Sequence, residues 1–239
     1  APASYTLEAS EIAIPAFTWM SIKETIMDLG LDIHWLDINS ETFHIEKNDI
    51  PKNVDLVIPL HTFGSKCNIK TDIPCIFDAA HALCTKGVGG NGIAEFFSFS
   101  PTKSFTGIEG GMITTNSEKL ATGLKVQTKY MSRMSEINAL VALFNINRRN
   151  EILKRKKEVH KFYCKNLPFT PQKIPEATNH NISAFLIEPE LKKNIIEELK
   201  DKIEFKCQYD PQEVILPNTQ YVWKRILLLP NYLTVDEEK

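Results

Sequence analysis

Short apolar runs alternate with amphipathic stretches over the first two thirds of the chain. Several runs are almost continuously apolar, such as LVIPL and CIFDAA, which is typical of strands buried on both faces of a parallel sheet. The runs predict six strands, at Glu11–Pro15, Asp32–Ile38, Asp55–His61, Pro74–Ala79, Glu95–Phe99 and Met112–Thr115. Between the first two, Phe17–Leu29 has helical periodicity and ends at Gly30. This alternation predicts an α/β fold in which a mostly parallel sheet is flanked by helices.

The pattern changes at Ser135, where a long helical stretch begins and continues to Leu167. Ser135 is its expected N-cap, and a kink is expected near 147–150. One apolar face is marked by Ile137, Leu140, Val141 and Phe144. The remaining chain contains candidate strands in SAFLIEP, IEFKCQY and RILLLP, and a candidate helix at Leu191–Lys200. We therefore expect a large domain at 1–134, a connecting helix at 135–167 and a small α+β domain at 168–239.

Composition and charge exclude several classes of protein. Hydrophobic residues make up 43% and charged residues 24%, an ordinary globular balance, and the net charge of −2 favours neither nucleic acid nor membrane surfaces. No apolar run approaches the roughly 20 residues of a membrane-spanning helix, and no signal-peptide pattern is visible, so we expect a cytoplasmic protein. The five cysteines are irregularly spaced without a C-x-x-C pair, so we expect reduced thiols and no metal site.

A basic run lies in the second half of the long helical stretch, at Lys154, Arg155, Lys156, Lys157 and Lys161. It is open to interpretation as a polyanion site or as a solvated helix face. Glu151 and Glu158 are interspersed among these cations, which favours the solvated face.

Two sequence segments contain residue types suited to catalysis. Asp78 ends the apolar run CIFDAA, where α/β sheets bind their ligands, and His81 follows three residues later. Each also has a structural interpretation, as a helix cap or a packed histidine. In the second segment, EFFSFSPTKSFTGIEGGMITT, Lys103 lies among small and apolar residues just after a predicted strand that contains Ser98. A lysine held in such surroundings can have a lowered pKa and act as a nucleophile.

These residue types match the needs of pyridoxal phosphate. The cofactor requires an amine for its aldehyde, an acid for its ring nitrogen, a flat cover for its ring, and hydroxyls for its phosphate. Lys103, Asp78, Trp19 and Ser98 supply these groups in turn.

The chain also resembles a known family, the DegT/DnrJ/EryC1/StrS sugar aminotransferases, from about Glu11 to its C-terminus. The motifs that carry the resemblance are EIAIPAFTW, LDIHWLDINSETFHI, VIPLHTFG, FDAAHA, SFSPTKSFTGIEGGMITTN, SRMSEINA and ILLLPNYLTVDEE. The resemblance implies the fold of type I pyridoxal-phosphate enzymes, and a homodimer with active sites at the subunit interface. It further implies transfer of an amino group from an amino-acid donor to a nucleotide-linked keto sugar.

The resemblance also implies roles for individual residues. Lys103 takes the position of the lysine that forms the Schiff base, and Asp78 that of the acid on the ring nitrogen. His81 stands near the ring 3-hydroxyl, Ser98 at a phosphate-binding position, and Trp19 where an aromatic residue stacks on the ring.

Three segments depart from the family pattern. A Gly-Thr turn that binds phosphate is replaced by ASYTLEA, in which Ser4 aligns with the threonine. A mid-chain loop is shortened, and Met131 stands where the family has an asparagine that reaches the partner's phosphate. The C-terminal region is trimmed as well. We therefore expect weaker phosphate contacts than are usual in the family.

Two other functions remain open. A relative that has lost catalysis would keep the fold and act as a binding or assembly protein. A dehydratase on the same scaffold is disfavoured, because that reaction is marked in the family by a histidine in place of the lysine at 103.

Overall fold

The computed structural model describes residues 9–174, 178–203, 205, 208–209 and 212–235, and for Tyr130 and Met131 the backbone alone. The described chain begins with strand β1 (Glu11–Pro15), helix α1 (Met20–Asp28) and strand β2 (Asp32–Leu36). Gly30 has φ +70°, a conformation that side chains disfavour, and it turns the chain out of α1 towards β2.

Four further strands complete a central sheet: β3 (Leu56–Val57), β4 (Ile76–Asp78), β5 (Ala94–Ser98) and β6 (Gly111–Thr114). Strands β2, β1 and β3 are parallel neighbours, as are β4 and β5, while β6 runs antiparallel along β5. Parallel bridges join Val57 to Cys75 and Leu60 to Asp78, so the strands form one surface of order β2-β1-β3-β4-β5-β6. The predicted α/β fold with a mostly parallel sheet is confirmed.

All six predicted strands are present: β1 has the predicted bounds, β5 and β6 are shifted one residue towards the N-terminus, and β2, β3 and β4 are shorter than predicted. The third is the shortest, because Pro59 has no N–H to donate to a ladder. Pairing resumes at Leu60 as a single bridge.

Helix α2 (Glu118–Met131) leads to α3 (Glu136–Asn147) and α4 (Arg149–Asn166). The Ser135 hydroxyl accepts from Asn138 N–H at 3.1 Å and so caps α3, as predicted. The expected kink is a break at Arg148, which separates α3 from α4. None of the described helices combines the length and the apolar character that crossing a bilayer requires.

The C-terminal part contains β7 (Thr170–Pro171), β8 (Ser183–Leu186), α5 (Pro189–Leu199), α6 (Pro217–Arg225) and β9 (Ile226–Leu229). The three strands form an antiparallel sheet of order β7-β8-β9. The predicted strand IEFKCQY is wrong where it can be judged, because residues 203, 205, 208 and 209 are described and lie outside any strand.

The largest hydrophobic core joins the central sheet to the C-terminal part. It contains Ala13, Phe17 and Phe63 from the N-terminal half together with Tyr209 and Leu228. The two parts also meet at Gly64, which has φ +97° and lies so close to Asn179 that a Cβ would collide with the Asn179 carbonyl. The C-terminal residues are thereby held over the carboxyl ends of β4 and β5.

Candidate active site

A cleft of about 530 Å³ opens at the carboxyl ends of β4 and β5, beneath residues of the C-terminal part. Its lining includes five of the predicted site residues, namely Trp19, Asp78, His81, Ser98 and Lys103. Ser4 lies outside the described residues, as does the side chain of Met131. The carboxyl edge of a sheet is where α/β folds usually bind ligands.

Asp78 is the last residue of β4, and its carboxylate is buried beneath the cleft. Oδ1 accepts from Ala80 N–H at 2.8 Å, and this is its one hydrogen bond within the described parts of the chain. Burial raises the pKa of Asp78 to about 6, against the opposing effects of the Ala80 N–H and the Lys103 charge. A buried carboxylate with so few donors is suited to binding a cationic N–H group.

Lys103 lies in the turn between β5 and β6, where its backbone N–H donates to Ser100 O at 3.1 Å. Burial lowers the pKa of its amine to about 8, while the negative charge of Asp78 acts in the opposite direction. An amine with this pKa is partly unprotonated near neutral pH. It can therefore act as a nucleophile and as a base.

An aromatic wall closes one side of the cleft. Burial, followed by the charge of Lys103, holds the pKa of His81 well below its usual range, so its ring is neutral. The Tyr209 hydroxyl lies 3.4 Å from His81 Nδ1, and the Tyr209 ring stacks on Phe63 with centroids 5.6 Å apart. Trp19 is 53% exposed at the mouth, where its ring is available to cover a flat ligand.

Tyr209 was not predicted from the sequence. It lies 128 residues after His81 in the stretch wrongly predicted to be a strand, and no local pattern distinguishes it.

Three residues with hydroxyl groups, Ser98, Ser100 and Thr102, line the cleft together with Lys103. Ser98 Oγ lies 3.2 Å from Ser100 Oγ, to which it donates, and it accepts from Ser100 N–H at 3.3 Å. Thr102 lines the same cleft. Ser100 and Thr102 both precede Lys103 in the SPTK segment, so their nearness to the lysine in sequence was the signal for them.

The prediction of a solvated basic face is wrong for Lys156. Lys154 and Lys161 are exposed, but Lys156 is 5% exposed, and burial lowers its pKa to about 8. Its ammonium donates to two backbone carbonyls, Asn181 O at 3.3 Å and Asn231 O at 2.5 Å. Both asparagines line the cleft. Lys156 thus anchors two segments of the cleft wall from behind.

The sequence model of the DegT/DnrJ/EryC1/StrS aminotransferase family matches residues 4–239. GDP-perosamine synthase of Vibrio cholerae is 24% identical in an alignment of 209 positions, and the match covers 74% of this chain and 57% of the relative. The chain therefore spans little more than half the length of that relative.

Two solved structures superimpose on nearly the whole chain. DesI, crystallised in the presence of its TDP-sugar product, is 21% identical with a TM-score of 0.85, covering 96% of this chain and 72% of DesI. Helicobacter pylori PseC, an aminotransferase involved in the biosynthesis of pseudoaminic acid, is 18% identical with a TM-score of 0.87, covering 99% and 78%. At these identities the likeness establishes the fold, and the predicted type I fold is confirmed.

Proposed function

The chain belongs to the DegT/DnrJ/EryC1/StrS aminotransferase family, and from this premise we propose that it is a pyridoxal-phosphate-dependent aminotransferase. It moves an amino group from an amino-acid donor to a nucleotide-linked keto sugar. The observation that carries this proposal is the pairing of Lys103 and Asp78 in one cleft, where the amine has a pKa of about 8 and the carboxylate is buried.

The residues that line the cleft fit the cofactor. The Asp78 carboxylate, whose one hydrogen bond within the described residues comes from Ala80 N–H, has room for a charged ring N–H. Lys103 supplies the amine for the aldehyde, and the Ser98, Ser100 and Thr102 hydroxyls supply donors for the phosphate. When bound, pyridoxal phosphate supplies an aldehyde and an electron-accepting ring.

The mechanism follows from the charges of these side chains. Asp78, with a pKa of about 6, is mostly ionised at neutral pH and keeps a partner nitrogen protonated. The Lys103 amine, partly unprotonated at neutral pH, would take a proton from a substrate carbon atom and return it at another atom, with the bound cofactor supplying the electron-accepting ring. The neutral His81 ring, hydrogen-bonded to Tyr209, orients polar groups beside Asp78 without adding a competing charge.

The substrate class is supported by the relatives and by the dimensions of the cleft. One relative is a GDP-perosamine synthase and another was crystallised with a TDP-sugar product. A cleft of about 530 Å³ lies within the usual range for small-molecule sites. Its mouth, beside the exposed Trp19 and Tyr232, leaves the nucleotide room to extend towards solvent.

A homodimer is part of the proposal. The predicted apolar face of α3 is exposed in the single chain, with Ile137 at 73%, Leu140 at 68% and Phe144 at 61%. Monomeric proteins rarely expose such a patch, and a second copy of the chain would cover it. Met112 and Ile113 on the edge strand β6 are exposed as well and extend the apolar surface.

The proposed location is the cytoplasm. The four described cysteines are free thiols, which agrees with a reducing compartment.

The proposal is tested by following the two half-reactions separately. Protein loaded with pyridoxal phosphate and freed of excess cofactor is mixed with a panel of amino acids, and conversion to the pyridoxamine form is followed by absorbance. The aminated protein is then mixed with nucleotide-linked keto sugars, and the reverse step is tested with GDP-perosamine. Lys103→Arg, which keeps the positive charge, is the matched control and should abolish both half-reactions.

A folded dimer that captures the cofactor but reacts with no amino acid and no nucleotide sugar would refute the proposed activity. It would favour instead a relative that has lost catalysis and serves as a binding or assembly protein.

A further inference from the structure

Two buried asparagines in the cleft wall each have a free polar atom. Asn181 is 5% exposed and Asn231 is 3% exposed. Asn181 Nδ2 and Asn231 Oδ1 are both buried, and neither has a hydrogen-bond partner among the described residues. Buried polar groups are nearly always paired, so an unpaired donor and an unpaired acceptor in the wall of one cleft require an explanation.

The orientation of the Asn181 amide is fixed by Ser104, the residue after Lys103. Asn181 Oδ1 accepts from Ser104 N–H at 2.7 Å and from the Ser104 hydroxyl at 2.8 Å. Rotating the amide by half a turn would place its NH₂ group against the Ser104 N–H donor. The free atom of Asn181 is therefore a donor.

The Asn231 amide is fixed in the opposite sense. Its Nδ2 is within hydrogen-bond distance of three acceptors, His180 O at 3.0 Å, Ser183 Oγ at 3.0 Å and Lys156 O at 3.2 Å. Its free atom is therefore Oδ1, an acceptor.

Lys156 holds the two asparagines in place. One ammonium group donates to the backbone carbonyls of both residues, and its side chain is itself buried. The backbone carbonyls of two segments that are 50 residues apart in sequence are thereby fixed to one point in the cleft wall.

We infer that Asn181 Nδ2 and Asn231 Oδ1 form a subsite for one hydroxyl group of the substrate, with Lys156 as the residue that positions them. A hydroxyl both accepts and donates, so it pairs with both atoms at once. A carboxylate or phosphate only accepts and would leave Asn231 facing another oxygen, whereas an ammonium group only donates and would leave Asn181 unpaired. This inference deepens the proposed function and rests on its nucleotide-sugar substrate. The hydroxyl comes from the hexose or from the ribose.

The decisive variant is Asn181→Asp. It has nearly the same shape and keeps the oxygen that accepts from Ser104, but the free donor becomes an acceptor. A hydroxyl has one proton and cannot satisfy two acceptors, so we expect roughly tenfold weaker binding. Binding of GDP-perosamine is measured by titration calorimetry on protein whose cofactor has been fixed by borohydride, which prevents turnover. If no cofactor is captured, the protein is used as purified.

Analogues that each lack one hydroxyl identify the group that is bound. The unmodified protein should bind one analogue roughly tenfold more weakly than GDP-perosamine, whereas Asn181→Asp should bind the two ligands nearly equally. A hexose analogue with this behaviour assigns the subsite to the sugar, and a deoxyribose analogue assigns it to the nucleotide. This comparison uses the unmodified protein as well, so it does not depend on how stable the variant is.

Asn145→Asp is the matched control. Asn145 is not among the residues that line the cleft, and its Nδ2 donates to Thr106 O at 2.8 Å. It should preserve discrimination between the ligands. If Asn181→Asp discriminates as strongly as the unmodified protein while transamination proceeds, the subsite is wrong and the proposed function stands. If nucleotide sugars bind with the expected discrimination but no amino group moves, the proposed activity fails and the subsite stands. Failure of the unmodified protein to bind any nucleotide sugar would overturn both.

Discussion

The charge state of Lys103 is the property on which the proposed chemistry depends, and it can be measured directly. Burial lowers the pKa of this amine from 10.5 to about 8. At pH 7 about a tenth of the amine is then unprotonated, roughly 300-fold more than for a lysine with the ordinary pKa. The shift corresponds to about 3 kcal/mol of preference for the neutral form.

Competitive acetylation of cofactor-free protein over a range of pH gives the midpoint for each lysine after peptide mapping. We expect a midpoint for Lys103 near 8, well below the ordinary lysine value of 10.5. Asp78→Asn removes a negative charge that raises the Lys103 pKa, so the midpoint should move below 8. Asp72→Asn, an exposed position, serves as the control and should leave the midpoint unchanged.

Two results would refute this reasoning. A Lys103 midpoint near 10.5 would mean that the amine is solvated and the cleft is not formed as described. An upward movement in Asp78→Asn would mean that the carboxylate acts on Lys103 by a route other than its charge.

Three further predictions concern the rest of the molecule. Leu140→Glu places a charge on the apolar face of α3 and should weaken dimerisation about 30-fold or more in sedimentation experiments, whereas Asn147→Asp on the same helix should not. Burial lowers the pKa of His180 from 6.5 to about 3, so between these pH values the unfolded state binds a proton that the folded state does not. The folded state therefore loses stability as the pH falls through that window. His180→Gln should reduce this loss by on the order of 4 kcal/mol, measured by chemical denaturation at each pH. Lys156→Met leaves two buried carbonyls without their donor and should lower the free energy of unfolding by about 2–4 kcal/mol, whereas Lys154→Met, which breaks only an exposed pair, should lower it by less than about 1 kcal/mol.

The parts of the fold that follow local rules were predictable from the sequence. Strand runs, the Ser135 cap and the break near Arg148 are signalled by neighbouring residues, and each is present. Asp78 ends one apolar strand and Lys103 follows another, so their approach to one sheet edge was predictable too. The predicted division into domains stays a prediction. The main core contains residues from both the N-terminal and the C-terminal part of the chain.

What the sequence did not reveal depends on contacts between distant segments. Helix α6 begins where the Asp37 carboxylate accepts from the Asn218 and Thr219 N–H groups, more than 180 residues away. Lys156 resembles its basic neighbours in sequence and is distinguished only by the carbonyls that surround it. Tyr209 and Asn181 likewise acquire their roles from loops that meet at the cleft.

The shared core has a consequence for the order in which this protein is made. Ile226 and Leu228 lie in the last fifteen residues of the described chain, yet they pack into the same core as Ala13 and Phe17. While the ribosome is still synthesising β9, the N-terminal sheet has a gap where these side chains belong, and its apolar face is open to water. The nascent chain should therefore remain sensitive to proteases, and dependent on chaperones, until β9 has emerged from the exit tunnel.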